Sequence, residues 1–143
     1  MVSICFINDP DENSQMQWDY ILLNFRPDNL YIISEENLEF NRKSPRSKST
    51  VIKSVKDLPK NVPLVVLAPK ISEHLQGETS LLEFKHPKDA IYFFGSDNGK
   101  LSKEDFKSRK PEHLVYVPVD TDDQMFSFMA AAVVLWDRRV KNG

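Results

Sequence analysis

Six short segments of the chain are apolar along nearly their whole length. Strands buried on both faces of a sheet have this pattern, whereas half-exposed strands alternate apolar with polar residues. Apolar residues at helical spacing separate the first two segments and follow the last one. The sequence therefore predicts one α/β domain over residues 1–143, with a sheet of about six mainly parallel strands and helices on both faces. The predicted strands occupy residues 2–7, 30–33, 50–52, 62–68, 89–94 and 114–117.

The composition argues against several classes of protein. The 143 residues are one domain's worth of chain, and no run of about 18 apolar residues predicts a transmembrane helix. The first twenty residues carry no Lys or Arg, which is untypical of a signal peptide. Cys5 is the single cysteine, so neither an internal disulfide nor a Cys-based zinc site is expected. A reducing cytoplasm suits such a chain, with no membrane partner.

The titratable residues form no familiar metal-binding pattern, so no metal is predicted. His74, His86 and His113 are scattered in polar stretches and are expected at the surface. The acidic cluster within residues 120–123 lacks the spacing of a calcium loop. We expect that cluster to cap the long C-terminal helix and to complement its dipole.

Positive charge is concentrated in one segment, although the net charge of the chain is −2. Residues 41–60 contain seven Lys or Arg residues and one acidic residue, Asp57. Such asymmetry permits a local phosphate-binding patch. The alternative is a solvated basic loop, because residues 34–50 are polar and are expected to be mobile.

Glycine is scarce, and two of the four glycines lie close together after the fifth predicted strand. Gly95 and Gly99 predict a turn with an unusual backbone, where N–H groups can approach a ligand closely. Ligands of open α/β sheets bind beyond the carboxyl ends of the strands. The dinucleotide fingerprint Gly-x-Gly-x-x-Gly and the phosphate loop are both absent, so a nucleoside triphosphate site is not expected.

The longest predicted helix, over residues 122–141, carries a broad apolar stripe. The stripe is wider than packing on one face of a sheet requires, so part of it is expected to join two copies of the chain. Its members are Met125, Phe128, Met129, Ala132, Val133 and Trp136.

Three segments in the C-terminal half of the chain carry a family resemblance. The fifth strand is followed by Phe-Gly-Ser-Asp-Asn-Gly-Lys-Leu-Ser, which ends at Ser102. Residues 116–119 are Tyr-Val-Pro-Val, and Leu-Trp-Asp-Arg ends at Arg138. In this order and spacing the segments resemble the motifs of the SpoU/TrmH family of RNA ribose 2′-O-methyltransferases. The resemblance covers nearly the whole chain and is strongest over residues 86–138.

The resemblance implies a SPOUT fold, in which the C-terminal part of the chain passes through a loop as a trefoil knot. It also implies a homodimer joined through the C-terminal helix, and methyl transfer from S-adenosylmethionine to an RNA ribose, often in tRNA. The RNA would meet the basic loop through Arg42, Lys43, Arg46 and Lys48. The residues that match the family's cofactor-binding loops are Leu67, Ala68, Gly95, Ser96, Val117, Val119, Met125 and Phe126.

Three positions depart from the family pattern. Tyr20 stands where the family has an Arg, Phe126 where it has an Asn, and Asp97 where it has a Glu. The candidate catalytic residues are therefore Asp97, Ser127 and Tyr20, which would orient the substrate hydroxyl and help to remove its proton. The alternative is a catalytically impaired dimer of the same fold that binds RNA or a protein, with Phe126 filling the cofactor pocket.

Overall fold

The computed structural model describes residues 1–69, 75, 77–96, 101, 103–120 and 125–143. Its strands are β1 (Val2–Ile7), β2 (Asn29–Ile33), β3 (Thr50–Ile52), β4 (Leu64–Leu67), β5 (Thr79–Ser80), β6 (Ala90–Phe94) and β7 (His113–Tyr116), and its α-helices are α1 (Glu12–Phe25) and α2 (Ser127–Asn142). The strands form one sheet in the order β3-β2-β1-β6-β4-β7-β5. Every neighbouring pair is parallel, which confirms the predicted α/β fold class.

The sheet has seven strands, one more than the sequence predicts. β5 consists of two polar residues at the sheet edge, which pair with Val115 and Tyr116 of β7. Two polar residues carry no apolar signal, so their extended conformation follows from pairing with a distant part of the chain. β4 begins only at Leu64, because the preceding Pro63 has no N–H to donate to a neighbouring strand.

Alternating side chains divide the core into two layers, one on each face of the sheet. On one face, under α1 and α2, Phe6 stacks on Trp18 of α1 with ring centroids 4.2 Å apart. On the other face, Cys5 and Phe93 pack against two 3-10 helices, Val55–Asp57 and Lys103–Phe106. In the described part of the chain, both faces are therefore covered, one by α-helices and the other by 3-10 helices.

Local signals fix both ends of α1. At its start, the Asp11 side chain accepts a hydrogen bond from the backbone N–H of Asn13. At its end, Arg26 adopts a left-handed conformation with φ of 42°, directly before Pro27. The helix therefore runs from the carboxyl end of β1 back to the amino end of β2.

The buried residues of α2 are Ala130, Ala131, Val134 and Leu135, which pack on the sheet. Three residues of the predicted apolar stripe, Met129, Val133 and Trp136, are 45%, 40% and 59% exposed. That part of the stripe thus faces away from the core. The helix is predicted from residue 122, but residues 121–124 lie outside the described residues. No described helix is both long and apolar enough to cross a membrane.

A buried polar network ties the C-terminal half of α2 to the sheet. We name it the His86 clasp, and it consists of His86, Tyr92, Asp137 and Arg138. The two ring nitrogens of His86 each lie 2.7 Å from a partner, Nδ1 from the Tyr92 hydroxyl and Nε2 from an Asp137 carboxylate oxygen. Arg138 also donates to the Tyr92 hydroxyl. The expectation that His86 lies at the surface is wrong, because these partners cover it and leave it 8% exposed.

Candidate functional site

The chain leaves the carboxyl ends of two central strands in opposite directions. After β1 it passes through α1 to β2 on one side, and after β6 it continues to β7 on the other side. β1 and β6 pair directly, with Phe6 opposite Phe94. Open α/β sheets bind ligands in the crevice at such a switch point. We name this region, bounded by residues 8–9, 95–96 and 125–127, the carboxyl-edge site.

Two side-chain hydrogen bonds hold the carboxyl-edge site together. Ser96 Oγ donates to a carboxylate oxygen of Asp9 at 2.8 Å, which joins the ends of β1 and β6. Ser127 Oγ donates to the carbonyl oxygen of Gly95, which fastens the start of α2 to the turn after β6. Asp9 is absent from the predicted site residues because its neighbours in sequence indicate a turn and a helix start. Its only signal in the sequence is its place directly after a buried strand.

The backbone comes close to other groups at two glycines near this edge. A Cβ atom on Gly95 would lie 3.0 Å from Cδ2 of Leu101, so the turn after β6 has room for little more than hydrogen at this position. A Cβ atom on Gly77 would lie 2.8 Å from the carbonyl oxygen of Ala68 and 2.9 Å from the backbone nitrogen of Tyr116. Gly99, the other predicted turn glycine, lies outside the described residues.

Most predicted cofactor-binding residues follow three adjacent strands of the sheet. Leu67 and Ala68 end β4 with side chains 8% and 3% exposed, so their backbone groups are what a ligand could reach. Val117 and Met125 are half-buried and pack against the core, whereas Val119 is 46% exposed. β6, β4 and β7 are neighbours, so the residues that follow them share one edge of the sheet.

Phe126 does not fill a pocket. Its side chain is 57% exposed, and its ring stacks on Phe128 with centroids 6.0 Å apart. The arrangement in which Phe126 blocks the cofactor pocket is therefore not present in this structure.

The predicted catalytic residues occupy different places. Ser127 lies in the carboxyl-edge site and is bonded to Gly95. Tyr20 lies about 12 Å along α1 from the helix start at 1.5 Å per residue, and its side chain is 60% exposed. Asp97 lies outside the described residues. Of the three, the structure thus places Ser127 in the site and Tyr20 on the outer surface of α1.

The predicted RNA-binding residues divide into an exposed set and a buried one. Arg42, Lys43 and Lys48 are exposed on the basic loop. Arg46 is 3% exposed; its Nε lies 3.0 Å from an Asp19 carboxylate oxygen, and its guanidinium carbon lies 5.3 Å from the centre of the Phe6 ring. Burial lowers the pKa of Arg46, and Asp19 partly restores it. Arg46 therefore holds the loop on α1 and presents no guanidinium to solvent.

Metal and thiol chemistry find few groups in the part of the chain that the structure describes. No group of three or more His, Cys, Asp or Glu residues there could hold a metal ion. Cys5 is buried in the sheet, and burial raises the pKa of its thiol. A buried neutral thiol is a poor nucleophile and a poor ligand.

Solved structures share this fold. The SpoU methyltransferase AviRb from Streptomyces viridochromogenes, also solved with its cofactor AdoMet, has a TM-score of 0.72 and 14% identity over 99% of this chain and 60% of its own. A probable methyltransferase from Bordetella pertussis has a TM-score of 0.75 and 7% identity over 98% of this chain and 95% of its own. An AdoMet-bound rRNA methyltransferase from Sinorhizobium meliloti has a TM-score of 0.68 and 13% identity over 97% of this chain and 56% of its own.

These comparisons show that the chain has the fold of the SpoU methyltransferases. The chain spans about three fifths of the length of the first and third of these proteins. No family model and no curated sequence matches the chain. Similarity at this level of identity extends to the fold, and the function is argued below from the site.

Proposed function

We propose that the chain is an S-adenosylmethionine-dependent RNA methyltransferase that acts on a ribose 2′-hydroxyl, with tRNA as its RNA. The observation that carries the proposal is the carboxyl-edge site, where residues 95–96 and 125–127 of the resembling motifs meet the end of β1. The SpoU fold and the cofactor of its solved members support it. The trefoil knot that the motifs imply is part of the same proposal.

The groups at this edge fit S-adenosylmethionine. Gly95 offers bare backbone, and Val117 and Met125 offer apolar surface of the kind that packs against an adenosine or a methionine chain. The Asp9 carboxylate beside Ser96 supplies negative charge, which suits a cationic sulfonium ligand. When bound, S-adenosylmethionine supplies an electrophilic methyl group.

The side chains of the site act by holding and orienting other groups. Ser127 binds the Gly95 carbonyl and thereby fixes the turn after β6 against α2. Ser96 and Asp9 hold the ends of β6 and β1 together. Methyl transfer to an alcohol needs an aligned hydroxyl and a proton acceptor. Asp9 is a carboxylate in position to accept that proton, and Asp97 is the second candidate by its place in the sequence.

The exposed cations of the basic loop are the proposed RNA contact near the site. Arg42, Lys43 and Lys48 point to solvent, and Lys53 and Lys56 continue the positive charge along the chain. Phosphate contacts of this kind position an RNA without reading its sequence. Arg46 leaves this set, because its buried guanidinium is bound to Asp19.

We further propose that the chain acts as a homodimer joined through the outer surfaces of α1 and α2. Large apolar side chains are exposed on both helices, which contact each other. Exposed apolar surface of this extent marks an interface in a protein with a polar remainder. We name this surface the α1/α2 face; its members are Met16, Tyr20, Leu23, Met129, Val133, Trp136 and Val140.

Two measurements test the proposed activity. Isothermal titration with S-adenosylmethionine is expected to show binding, and labelled methyl groups are expected to appear as 2′-O-methylnucleosides in tRNA incubated with the protein. Gly95→Val is expected to abolish binding, because the position already lacks room beside Leu101. Leu82→Val, at a side chain that is 77% exposed, is the control. Absence of heat at millimolar ligand, together with absence of label in RNA, would contradict the proposal.

A second candidate is a non-catalytic module of the same fold that binds RNA. Two observations favour it: the Tyr20 side chain is exposed two turns along α1, and the Ser127 hydroxyl is bonded to Gly95. The same measurements separate the candidates. The module binds RNA while it transfers no methyl group, whatever its affinity for S-adenosylmethionine.

A further inference from the structure

A second cavity lies at the end of the sheet opposite the carboxyl-edge site. This cleft has a volume of about 530 Å³, and it is bordered by Val2 at the start of β1, Lys88 before β6, and the C-terminal ends of α1 and α2. We name it the amino-end cleft. β1 has six residues, so at about 3.3 Å per residue the two ends of the sheet are about 20 Å apart.

Positive side chains dominate the amino-end cleft. Four Lys or Arg residues from three separate segments line it. The negative groups among the lining residues are Asp28, which already accepts a hydrogen bond from the backbone N–H of Val2 at 2.8 Å, and the terminal carboxylate of Gly143. The four cationic residues are Arg26, Lys88, Arg138 and Arg139.

The charge of these four side chains is not neutralised by carboxylates within the described residues. The ion pairs formed there involve other cations. Arg138 donates instead to the Tyr92 hydroxyl and to the carbonyl oxygens of Pro87 and Lys88, which are neutral groups. These bonds hold its guanidinium in place, so the cleft combines one fixed cation with three exposed ones. Such a concave cluster of positive charge attracts anions.

The size and the floor of the cleft indicate the chemical class of the anion. A volume of about 530 Å³ exceeds the needs of one phosphate and suits a nucleotide-sized ligand. Phe25 and Leu135 add apolar surface, on which a ribose or a base can pack beside the cations. We propose that the amino-end cleft binds the sugar-phosphate backbone of RNA, as a second contact about 20 Å from the methyl-transfer end. This inference rests on the proposed function, in that the RNA is the proposed substrate.

Binding of a fluorescein-labelled single-stranded RNA of mixed sequence, followed by anisotropy at several salt concentrations, tests the inference. The double variant Lys88→Ala/Arg139→Ala removes two exposed cations of the cleft and leaves Arg138 in place. We expect an affinity loss of about fivefold or more at 0.1 M salt, and a salt slope smaller by about two. The control Lys103→Ala/Lys110→Ala changes the net charge equally at exposed positions that do not line the cleft, and it should retain the wild-type affinity.

The outcomes separate this inference from the proposed function. The inference is overturned if the cleft variant and the control bind RNA equally, even where methyl transfer to RNA is intact. It is also overturned as an RNA site if poly-glutamate of equal charge displaces the RNA as well as unlabelled RNA does. Titration with S-adenosylmethionine reads the carboxyl-edge site alone, so a protein that fails to bind the cofactor still reports on the cleft through its RNA affinity.

Discussion

Glycines at two positions near the carboxyl-edge site have different neighbours. At Gly77 the atoms that a Cβ would meet are backbone atoms of Ala68 and Tyr116 and a Tyr116 Cβ, 2.8–2.9 Å away. At Gly95 the nearest atoms belong to the Leu101 side chain, which can rotate. The Gly77→Ala variant is therefore expected to lose about 1–3 kcal/mol of unfolding free energy, and Gly95→Ala less than about 1 kcal/mol.

Urea unfolding followed by circular dichroism measures both glycine variants. Because Gly95 lies in the proposed cofactor site, Gly95→Ala should weaken binding of S-adenosylmethionine more than it lowers stability. Equal losses of stability in the two variants would show that the backbone contacts at Gly77 relax as easily as a side chain.

The buried His86 gives the stability of the fold a pH dependence. A neutral ring satisfies its neighbours, since Nε2–H donates to Asp137 while Nδ1 accepts from the Tyr92 hydroxyl, which in turn accepts from Arg138. Burial lowers the pKa of His86 below its usual 6.5, and this outweighs the opposing effect of Asp137. The unfolded chain therefore takes up a proton near pH 6.5 while the folded chain does not, so stability falls as the pH drops below that value.

Urea midpoints at pH 7.5 and pH 5.5 test this pH dependence. We expect the wild type to lose stability between these values, and His86→Gln to lose less. Asp137 does not interfere, because its pKa lies below the usual 3.8: hydrogen bonds from His86 and Lys141 outweigh the effect of its burial. A wild type and a His86→Gln variant with the same change between the two pH values would contradict the role of His86.

Residue roles of this kind depend on partners that are far apart in sequence. Asp137 is 51 positions from His86, and Ser96 is 87 positions from Asp9. No local pattern distinguishes a polar residue that such a partner buries from one that stays in water. The motifs could indicate Gly95, Ser96 and Ser127 because those residues lie within recognisable segments, whereas Asp9 and the His86 clasp required the folded chain.

At the scale of elements, the basic loop is ordered by one buried side chain. The 3-10 helix Pro45–Lys48 lies on α1, because Arg46 pairs with Asp19 and also donates to the carbonyl oxygen of Gln15 at 2.9 Å. Arg46→Ala leaves a carboxylate without its partner and removes packing on Phe6. We expect a loss of about 1–3 kcal/mol of unfolding free energy, moderated because Asp19 is a third exposed.

Thermal unfolding of Arg46→Ala and of the control Arg42→Ala measures this role. Arg42 is exposed on the same loop, so its removal should leave the midpoint within experimental error while lowering RNA affinity. The reverse ranking, with Arg42→Ala the less stable, would return Arg46 to the set of RNA-binding residues.

Apolar patterning predicts the buried elements and gives less information on the others. Each of the six apolar segments contains an observed strand, because full burial on both faces demands apolar residues throughout. β5 escapes such prediction, since two polar residues become a strand only beside β7. The stripe of α2 is recognisable in the sequence, but the side that meets the sheet is set by Ala130, Ala131 and Val134, whose small side chains allow close packing.

At the scale of the whole molecule, one surface is unusually apolar for a chain with 28% charged residues. The α1/α2 face brings side chains of both helices together, with Trp136 59% exposed and Val140 66% exposed. Its residues in α2 are three or four positions apart, so they form one continuous strip. A chain that dimerises through this strip would bury the largest exposed aromatic side chain on it.

Trp136→Glu is expected to convert the dimer into a monomer, because it places a charge in the middle of the apolar strip. Sedimentation of the wild type should give a mass of about 33 kDa, twice the 16.6 kDa of one chain, and that of the variant the mass of one chain. Leu82→Glu is the matched control: its side chain is 77% exposed outside the strip, so it should remain dimeric. A monomeric wild type, or equal behaviour of the two variants, would contradict the proposed interface. Because Trp136 is already exposed in the single chain, Trp136→Glu should retain the circular dichroism spectrum and thermal midpoint of a folded protein, which separates loss of the dimer from loss of the fold.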